Sequence, residues 1–141
     1  MLSSFEFESL FPQDDFVDVE MTAYLNGLAP VPARLLYEQA DPWAVTLVLD
    51  CAEREREWLF SRDLLAEGML FVAGEGDVRV VPDGDRVWVE LDVPAGRAEL
   101  AFGRAELEKA LDAVEGLVPS GAEAEFFDWD REWDLLTGEA A

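Results

Sequence analysis

The stretch Trp58-Leu-Phe-Ser-Arg-Asp-Leu-Leu-Ala-Glu-Gly-Met69 decides the architecture of this chain. Trp58 to Phe60 are aromatic and aliphatic, which favours a buried strand. Ser61 is a good N-cap for one short helical turn, which Gly68 closes. The following segment, 74–82, predicts a turn and then a second strand with alternate valines in the core. This order of strand, helical turn and strand contains no group that indicates catalysis.

The residues before this stretch show the two-residue period of half-buried strands. Val17, Val19 and Met21 alternate with polar residues, and Asn26-Gly27 is a strong turn signal. Pro32 is expected at the start or the edge of its strand, because proline cannot donate to a ladder. Including the strand that opens the deciding stretch, we predict strands at residues 16–25, 31–38, 43–50 and 57–60.

The residues after it first continue as strands and then change to helical spacing. Turn-forming segments at 82–85 and 94–96 separate predicted strands at 77–81, 86–93 and 97–102. Apolar residues at helical spacing then predict a helix from Arg104 to Val114, which Gly116 ends. Asp128 is placed to cap a last helix in which Trp129, Trp133 and Leu136 follow the i, i+4, i+7 pattern.

These elements predict an α+β fold with an antiparallel meander sheet of about seven strands, curled or split in two layers. A short helical turn lies in the middle of the chain, and helices lie at its C-terminus. Trp88, Tyr24 and Val48 point outward on simple alternation, and oligomerisation is one way to cover them. We interpret residues 1–15 as a mobile or loosely docked acidic and aromatic arm, 16–137 as one domain and 138–141 as a tail. Phe5, Phe7, Leu10 and Phe11 of the arm are candidates to dock on a groove of this subunit or of a neighbour.

The charge limits the partners. Ten basic residues stand against 32 acidic ones, which gives a net charge of −22. Such a field opposes binding to phosphate backbones and anionic membranes, so we expect no nucleic acid and no direct membrane insertion. The N-terminus lacks the basic start of a signal peptide, so we expect a cytoplasmic location.

Few residues suggest chemistry. Histidine is absent, which removes the commonest general base and His-ligated zinc. A hydrolase that uses carboxylates alone stays open. The single Cys51 is interpreted as a buried, inert thiol. Gly74-Glu-Gly76 is a turn rather than a phosphate loop, and the calcium-like pattern from Asp128 to Glu139 lacks the required glycine. We therefore expect no cofactor, no metal and no enzyme activity.

Several residues are candidates for contact with a partner or with another subunit. Trp129 and Trp133 either pack on the sheet as core or anchor a partner, and Phe126 and Phe127 present the same choice. Trp88 is a candidate because it is predicted to point outward. Arg62 and Asp63, on the short helical turn, are candidates that are also expected to form salt bridges there, together with Arg79 and Asp77.

Three blocks of sequence carry a resemblance to a known family. The first is Val31-Pro-Ala-Arg-Leu-Leu-Tyr37 with Ala40-Asp-Pro-Trp-Ala-Val45. The second is Glu57 to Gly68 followed by Gly74-Glu-Gly-Asp-Val-Arg-Val80. The third combines Val118-Pro-Ser-Gly121 with 127–130 and 133–136. In order and spacing they resemble the SsgA-like sporulation and cell-division proteins of actinomycetes, with the SsgB-like branch as one placement.

The resemblance implies a function that the residue patterns do not show by themselves. Members of this family are associated with septum-site selection and cell-wall remodelling during sporulation-specific division, and one branch with recruitment of the tubulin-like protein FtsZ. The family fold is described as similar to the whirly single-stranded nucleic-acid-binding fold, assembled as a trimer. The resemblance therefore implies a non-enzymatic, homo-oligomeric regulator at the division septum, with FtsZ or another SsgA-like protein as partner. A whirly-like module for single-stranded nucleic acid is the alternative.

Overall fold

The structure is a computed structural model that describes residues 15–137. The arm, apart from Asp15, and the tail at 138–141 lie outside the described residues. The described part contains eight strands and four helices. The strands are β1 Phe16–Leu25, β2 Ala29–Glu38, β3 Ala44–Asp50, β4 Glu55–Ser61, β5 Ala73–Glu75, β6 Val78–Asp83, β7 Arg86–Val93 and β8 Gly96–Gly103. The helices are α1 Arg62–Gly68, α2 Arg104–Leu117, α3 Glu123–Phe126 and α4 Trp129–Thr137.

All eight strands form one antiparallel, strongly curled sheet in the order β4-β3-β2-β1-β8-β7-β6-β5. It consists of two four-stranded meanders that join between β1 and β8 over only two residue pairs, Tyr24 with Ala101 and Leu25 with Leu100. The two edge strands of the sheet, β4 and β5, are consecutive in the chain, and α1 connects them. Helix α1 packs against β4, β5 and β6. The deciding stretch therefore supplies one edge strand and the helix that leads to the other edge strand. The single antiparallel sheet with its late helices confirms the predicted α+β class.

Helix α1 starts and ends for different physical reasons. The Ser61 Oγ accepts a hydrogen bond of 2.9 Å from the Leu64 backbone N–H, which confirms the predicted N-cap. Gly68 is buried, and a Cβ at this position would lie 2.2 Å from Val80 Cγ1 and 2.3 Å from Val80 Cβ. Gly68 is thus required because the helix backbone touches β6, rather than because the chain needs a left-handed conformation.

The core lies inside the curl of the sheet and beneath α2. The inward residues of β3 and β7 are almost completely buried, among them Val45, Leu47, Val87 and Val89. Helix α2 packs on β1, β7 and β8 through the predicted stripe of Leu107, Ala110 and Val114. It covers the opening left by the short β1–β8 pairing. Cys51 was predicted to be buried, but it is half-buried and packs against the core.

Two predictions about the sheet need correction. Residues Ala73–Glu75 form the short strand β5, where a turn was expected, so the sheet has eight strands rather than about seven. Only Gly76, with φ +57°, keeps the turn role. Val48 was predicted to face outward uncovered, but it is 2 % exposed. It lies in register between Arg34 and Glu57, whose long side chains flank it on the outer face.

Prolines protect part of β2 from strand addition. Pro30 and Pro32 pair with β1, but the pairing of β2 with β3 begins only at Ala33. Proline has no N–H, so Pro30 and Pro32 occupy non-hydrogen-bonded pairs with β1, and their ring nitrogens face the side of β2 that β3 leaves unpaired. That side therefore lacks two donors for another strand, which agrees with the predicted edge role of Pro32.

Candidate partner-binding surfaces

Arg62, the first residue of α1, is an internal support rather than an exposed contact. It is 3 % exposed. Its Nη1 donates to the Tyr37 hydroxyl at 2.9 Å, and its Nη2 donates to Glu115 Oε2 at 2.8 Å and to Ser120 Oγ at 3.1 Å. Its backbone N–H donates to the Trp43 carbonyl at 2.8 Å. One guanidinium thus holds β2 to the end of α2 and to the loop that leads into α3.

The same network shifts two pKa values. Burial raises the pKa of the Tyr37 hydroxyl, although the positive charge of Arg62 acts in the opposite direction. Tyr37 therefore stays protonated, and it donates to the Pro42 carbonyl at 2.9 Å. Hydrogen bonds from the Ser120 backbone N–H and hydroxyl lower the pKa of Glu115, and Arg62 adds to this effect. The network is therefore complete when Glu115 is ionised and Tyr37 is neutral.

The local salt bridges predicted around α1 are wrong. Arg62 pairs with Glu115, which is distant in sequence, and Arg79 pairs at 3.5 Å with Glu90, its register partner on the neighbouring strand β7. The side chain of Asp63 lies exposed in the first turn of α1, where its charge favours the positive helix end. The partner of Arg62 has no local signal in the sequence, because only the fold brings residues 62 and 115 together.

Trp88 supports the β1–β2 turn. Asn26 and Gly27 both have positive φ, at 54° and 76°, which confirms the predicted turn. A Cβ on Gly27 would lie 2.8 Å from Trp88 Cη2, so the indole packs directly on the turn. The Arg86 guanidinium lies 5.2 Å from the Trp88 ring centroid and donates to the Gly27 carbonyl at 2.9 Å. Part of the Trp88 surface is therefore already covered by contacts within the chain.

Helix α4 presents the most prominent apolar surface in the described part of the chain. Trp129 is 61 % exposed and Trp133 is 66 % exposed, and no residue within 129–137 is buried. The interpretation that both tryptophans are core residues of this chain is therefore wrong. Phe126 differs, since it is half-buried and packs against the core.

Aromatic contacts extend this surface to the β2–β3 loop. The ring centroids of Trp43 and Phe127 are 5.0 Å apart, and those of Phe127 and Trp129 are 4.5 Å apart in an edge-to-face arrangement. Trp133 follows one helical turn later on the same face. We call Trp43, Phe127, Trp129 and Trp133 the aromatic surface. Phe127 was a predicted candidate, but Trp43 was not, because nothing in the sequence brings residues 43 and 127 together.

The start of α4 is held in place by its cap and by the β2–β3 loop. The Asp128 Oδ1 accepts from the Arg131 backbone N–H at 2.8 Å, which confirms the predicted cap. The Asp128 backbone N–H donates to the Ala40 carbonyl at 3.2 Å. Asp128 thus serves as a helix cap, and Glu139, the other end of the calcium-like pattern, lies outside the described residues.

An acidic cleft of about 680 Å³ lies where β2 and β3 separate. Glu20, Asp50, Glu55 and Glu106 contribute to its wall, together with Arg34, which pairs with Glu55 at 3.6 Å. Within residues 15–137, no three acidic or cysteine side chains lie close enough to hold a metal ion. Over the same residues, no helix is long and apolar enough to cross a membrane.

Comparison with known proteins places the chain in a family. Residues 31–123 match the model of the Streptomyces sporulation and cell division protein SsgA. The chain is 41 % identical over 116 residues to the sporulation-specific cell division protein SsgB of Streptomyces coelicolor, which covers 79 % of this chain and 85 % of the relative. It is 38 % identical over 110 residues to a sporulation-specific cell division protein of Frankia casuarinae, covering 75 % of this chain and 76 % of the relative.

Solved structures agree with the sequence matches. One solved structure comes from work on mutations in SsgB that correlate with longitudinal cell division during sporulation of Streptomyces coelicolor. It superimposes on this chain with a TM-score of 0.73 at 39 % identity. That match covers 79 % of this chain and 95 % of the other. The SsgA-like sporulation-specific cell division protein of Thermobifida fusca superimposes with a TM-score of 0.75 at 31 % identity, covering 85 % and 94 %.

The curled antiparallel sheet with its late helices is therefore the fold of sporulation-specific cell division proteins. The chain belongs to the SsgA-like family. Within that family it is similar to the proteins named SsgB, and this similarity supports a role in cell division.

Proposed function

We propose that the protein is a non-enzymatic regulator that recruits or positions a division or cell-wall protein, such as FtsZ, at the septum. The aromatic surface carries this proposal. Large exposed aromatic side chains are the residues that most often dominate binding energy at protein interfaces. Here two such tryptophans project from a short helix that nothing in the described chain covers.

The Arg62 network explains how this surface is kept in position. Arg62 binds the Trp43 carbonyl through its backbone and the loop before α3 through its side chain. A contact surface needs such support, because a partner binds tightly only to side chains that are already held in place. Arg62 therefore supports and orients the surface, whereas the contact itself is assigned to the tryptophans.

A binding experiment with paired variants tests this assignment. We expect Trp129→Ala and Trp133→Ala each to weaken binding to purified FtsZ by about 30-fold, the effect of losing a hot-spot residue. Leu28→Ser is the matched control, because Leu28 is 82 % exposed at the opposite end of β1 and should leave binding unchanged. Equal binding by all three variants would show that α4 is not the contact.

The cellular test uses septum placement. In a strain that lacks the gene and carries a labelled division ring, the natural sequence and the Leu28→Ser variant should restore regular septa. The double variant W129A/W133A should leave the rings misplaced although the protein accumulates normally. Restoration by the double variant would remove α4 from the proposed function.

We also propose that the protein forms a homo-oligomer, specifically a trimer, as the family resemblance implies. The exposed apolar residues after α1, such as Leu70 and Phe71, are further surface for such contacts. Light scattering coupled to size-exclusion chromatography measures the mass directly. A monomer at all concentrations would refute this part.

The alternative function, binding of single-stranded nucleic acid, is less well supported by the surroundings of the aromatic surface. Stacking aromatics are present, but such grooves also need positive charge along the strand. Helix α4 carries Asp130, Glu132 and Asp134 against the single Arg131. Fluorescence anisotropy with single-stranded oligonucleotides at low salt decides the matter, and we expect no binding.

A further inference from the structure

The first described residues lead the chain directly to the aromatic surface. Phe16 pairs with Glu38, and the Gln39 backbone N–H donates to the Asp15 carbonyl at 2.7 Å. The next residue of the chain, Ala40, lies in the β2–β3 loop and accepts the hydrogen bond from Asp128 at the start of α4. The segment that precedes Asp15 therefore joins the described structure beside the β2–β3 loop and the first turn of α4.

This segment has the composition to cover the aromatic surface. It contains Phe5, Phe7, Leu10 and Phe11 within one short stretch. In an extended conformation Phe5 and Phe7 would lie on one face and Glu6 and Glu8 on the other. That arrangement turns phenyl rings toward the tryptophans and keeps the carboxylates away from the acidic residues of α4.

The reach of the segment is also sufficient. Extended backbone from Asp15 back to Phe5 spans up to about 33 Å. Helix α4 has 9 residues and is therefore about 13 Å long. A helix this short is marginal in water without packing. Helix α4 therefore needs another segment packed on its exposed apolar face to be well populated.

We propose that the N-terminal segment 1–14 docks in cis on the aromatic surface, with Phe5, Phe7 and Phe11 packed against Trp43, Trp129 and Trp133. The occupant is this chain's own arm, and docking is a property of the isolated chain. It therefore stands or falls separately from the binding of FtsZ. A docked arm covers the same tryptophans that we assign to the partner, so arm and partner compete for them.

Hydrogen exchange measured by mass spectrometry on the full chain tests the docking. We expect amides of residues 132–137 to exchange at least about tenfold faster in a variant with F5S, F7S, L10S and F11S than in the natural sequence, because loss of packing frees a marginal helix. The matched control E6S/E8S keeps the apolar residues and removes only repulsion. It should show protection equal to or greater than that of the natural sequence.

Two further measurements separate the alternatives. Raising the salt from about 50 mM to about 1 M should increase protection, because screening weakens repulsion between the acidic arm and α4. Protection should not depend on protein concentration. Equal exchange in the natural sequence and the four-site variant overturns the proposal. Loss of protection in the E6S/E8S control, or protection that rises with concentration as expected for an arm docked on a second copy, overturns it as well.

Discussion

Gly68→Ala tests the claim that α1 closes the sheet by direct backbone contact with β6. The added methyl group would lie 2.2 Å from Val80 Cγ1, whereas two carbon atoms pack at about 3.5–4.0 Å. Val80 cannot rotate away, since it is fully buried and its Cβ would also be only 2.3 Å distant. The helix must therefore move outward by more than about 1 Å, which loosens the packing beneath it.

The expected cost follows from this displacement. Overpacking a well-filled core typically costs about 1–3 kcal/mol, and a contact this short belongs at the upper end, so we expect about 3 kcal/mol. For a domain of this size that corresponds to a fall in Tm of about 10 °C. The measurement is urea unfolding and a thermal scan at one fixed ionic strength, because the high net charge makes stability depend on salt.

Gly116→Ala is the matched control for this substitution. Gly116 also lies near the end of a helix, and a Cβ there would meet no atom within 4 Å. Alanine in place of glycine in a helix is favourable by up to about 1 kcal/mol. We therefore expect opposite signs for the same chemical change at the two positions. If Gly68→Ala were neutral or stabilising, the direct contact between the α1 backbone and Val80 would be refuted.

Three further predictions concern the network, the aromatic surface and the turn. Glu115→Gln should destabilise the protein at neutral pH, because the hydrogen bonds that lower the pKa of Glu115 in the folded state stabilise only its ionised form. The difference in stability between the variant and the natural sequence should therefore shrink as the pH falls below 4.5, the pKa of this carboxyl group in the unfolded chain. Urea unfolding of both proteins from pH 7 to pH 3 measures this difference. Trp129→Ala and Trp133→Ala should each lower the free energy of unfolding, measured with urea, by about 1 kcal/mol, because within the described residues both are exposed and only the docked arm packs on them, whereas a core tryptophan would cost about 3–5 kcal/mol. Gly27→Ala should cost about 1–3 kcal/mol, and Trp88→Ala should relieve only the steric part of that cost, since φ is +76° at residue 27; a thermal-unfolding double-mutant cycle separates the two parts.

Local patterns predicted most of the elements because each depends on neighbouring residues. The alternation of Val17, Val19 and Met21, the cap at Ser61 and the turn at Asn26-Gly27 all appear as expected. The same patterns could not reveal that β4 and β5 are the two edges of one sheet. That fact depends on the order of the two meanders, which is set by packing between residues far apart in the chain.

The outcome for Gly68 shows why a correct local prediction can rest on an incomplete reason. Sequence reasoning placed it at the end of a helix, where glycine commonly adopts a positive φ. Gly68 does lie at the end of α1, but a glycine is needed there because any Cβ would overlap with the side chain of Val80. A contact between residues 68 and 80 leaves no local signal other than the glycine itself, so only the three-dimensional arrangement identifies the cause.

The sequence predicts the last helix but does not show which surface its apolar face contacts. The spacing of Trp129, Trp133 and Leu136 predicts an amphipathic helix equally well whether its apolar face meets the sheet or a partner. What decides between these outcomes is the position at which α4 begins, and Ala40, Asp128 and the Arg62 network fix that position. Held there, α4 places its first aromatic residue against Phe127 and leaves the next turn uncovered. The residues that identify the family therefore set the orientation of the helix, and the tryptophans they expose are the ones through which recognition would act.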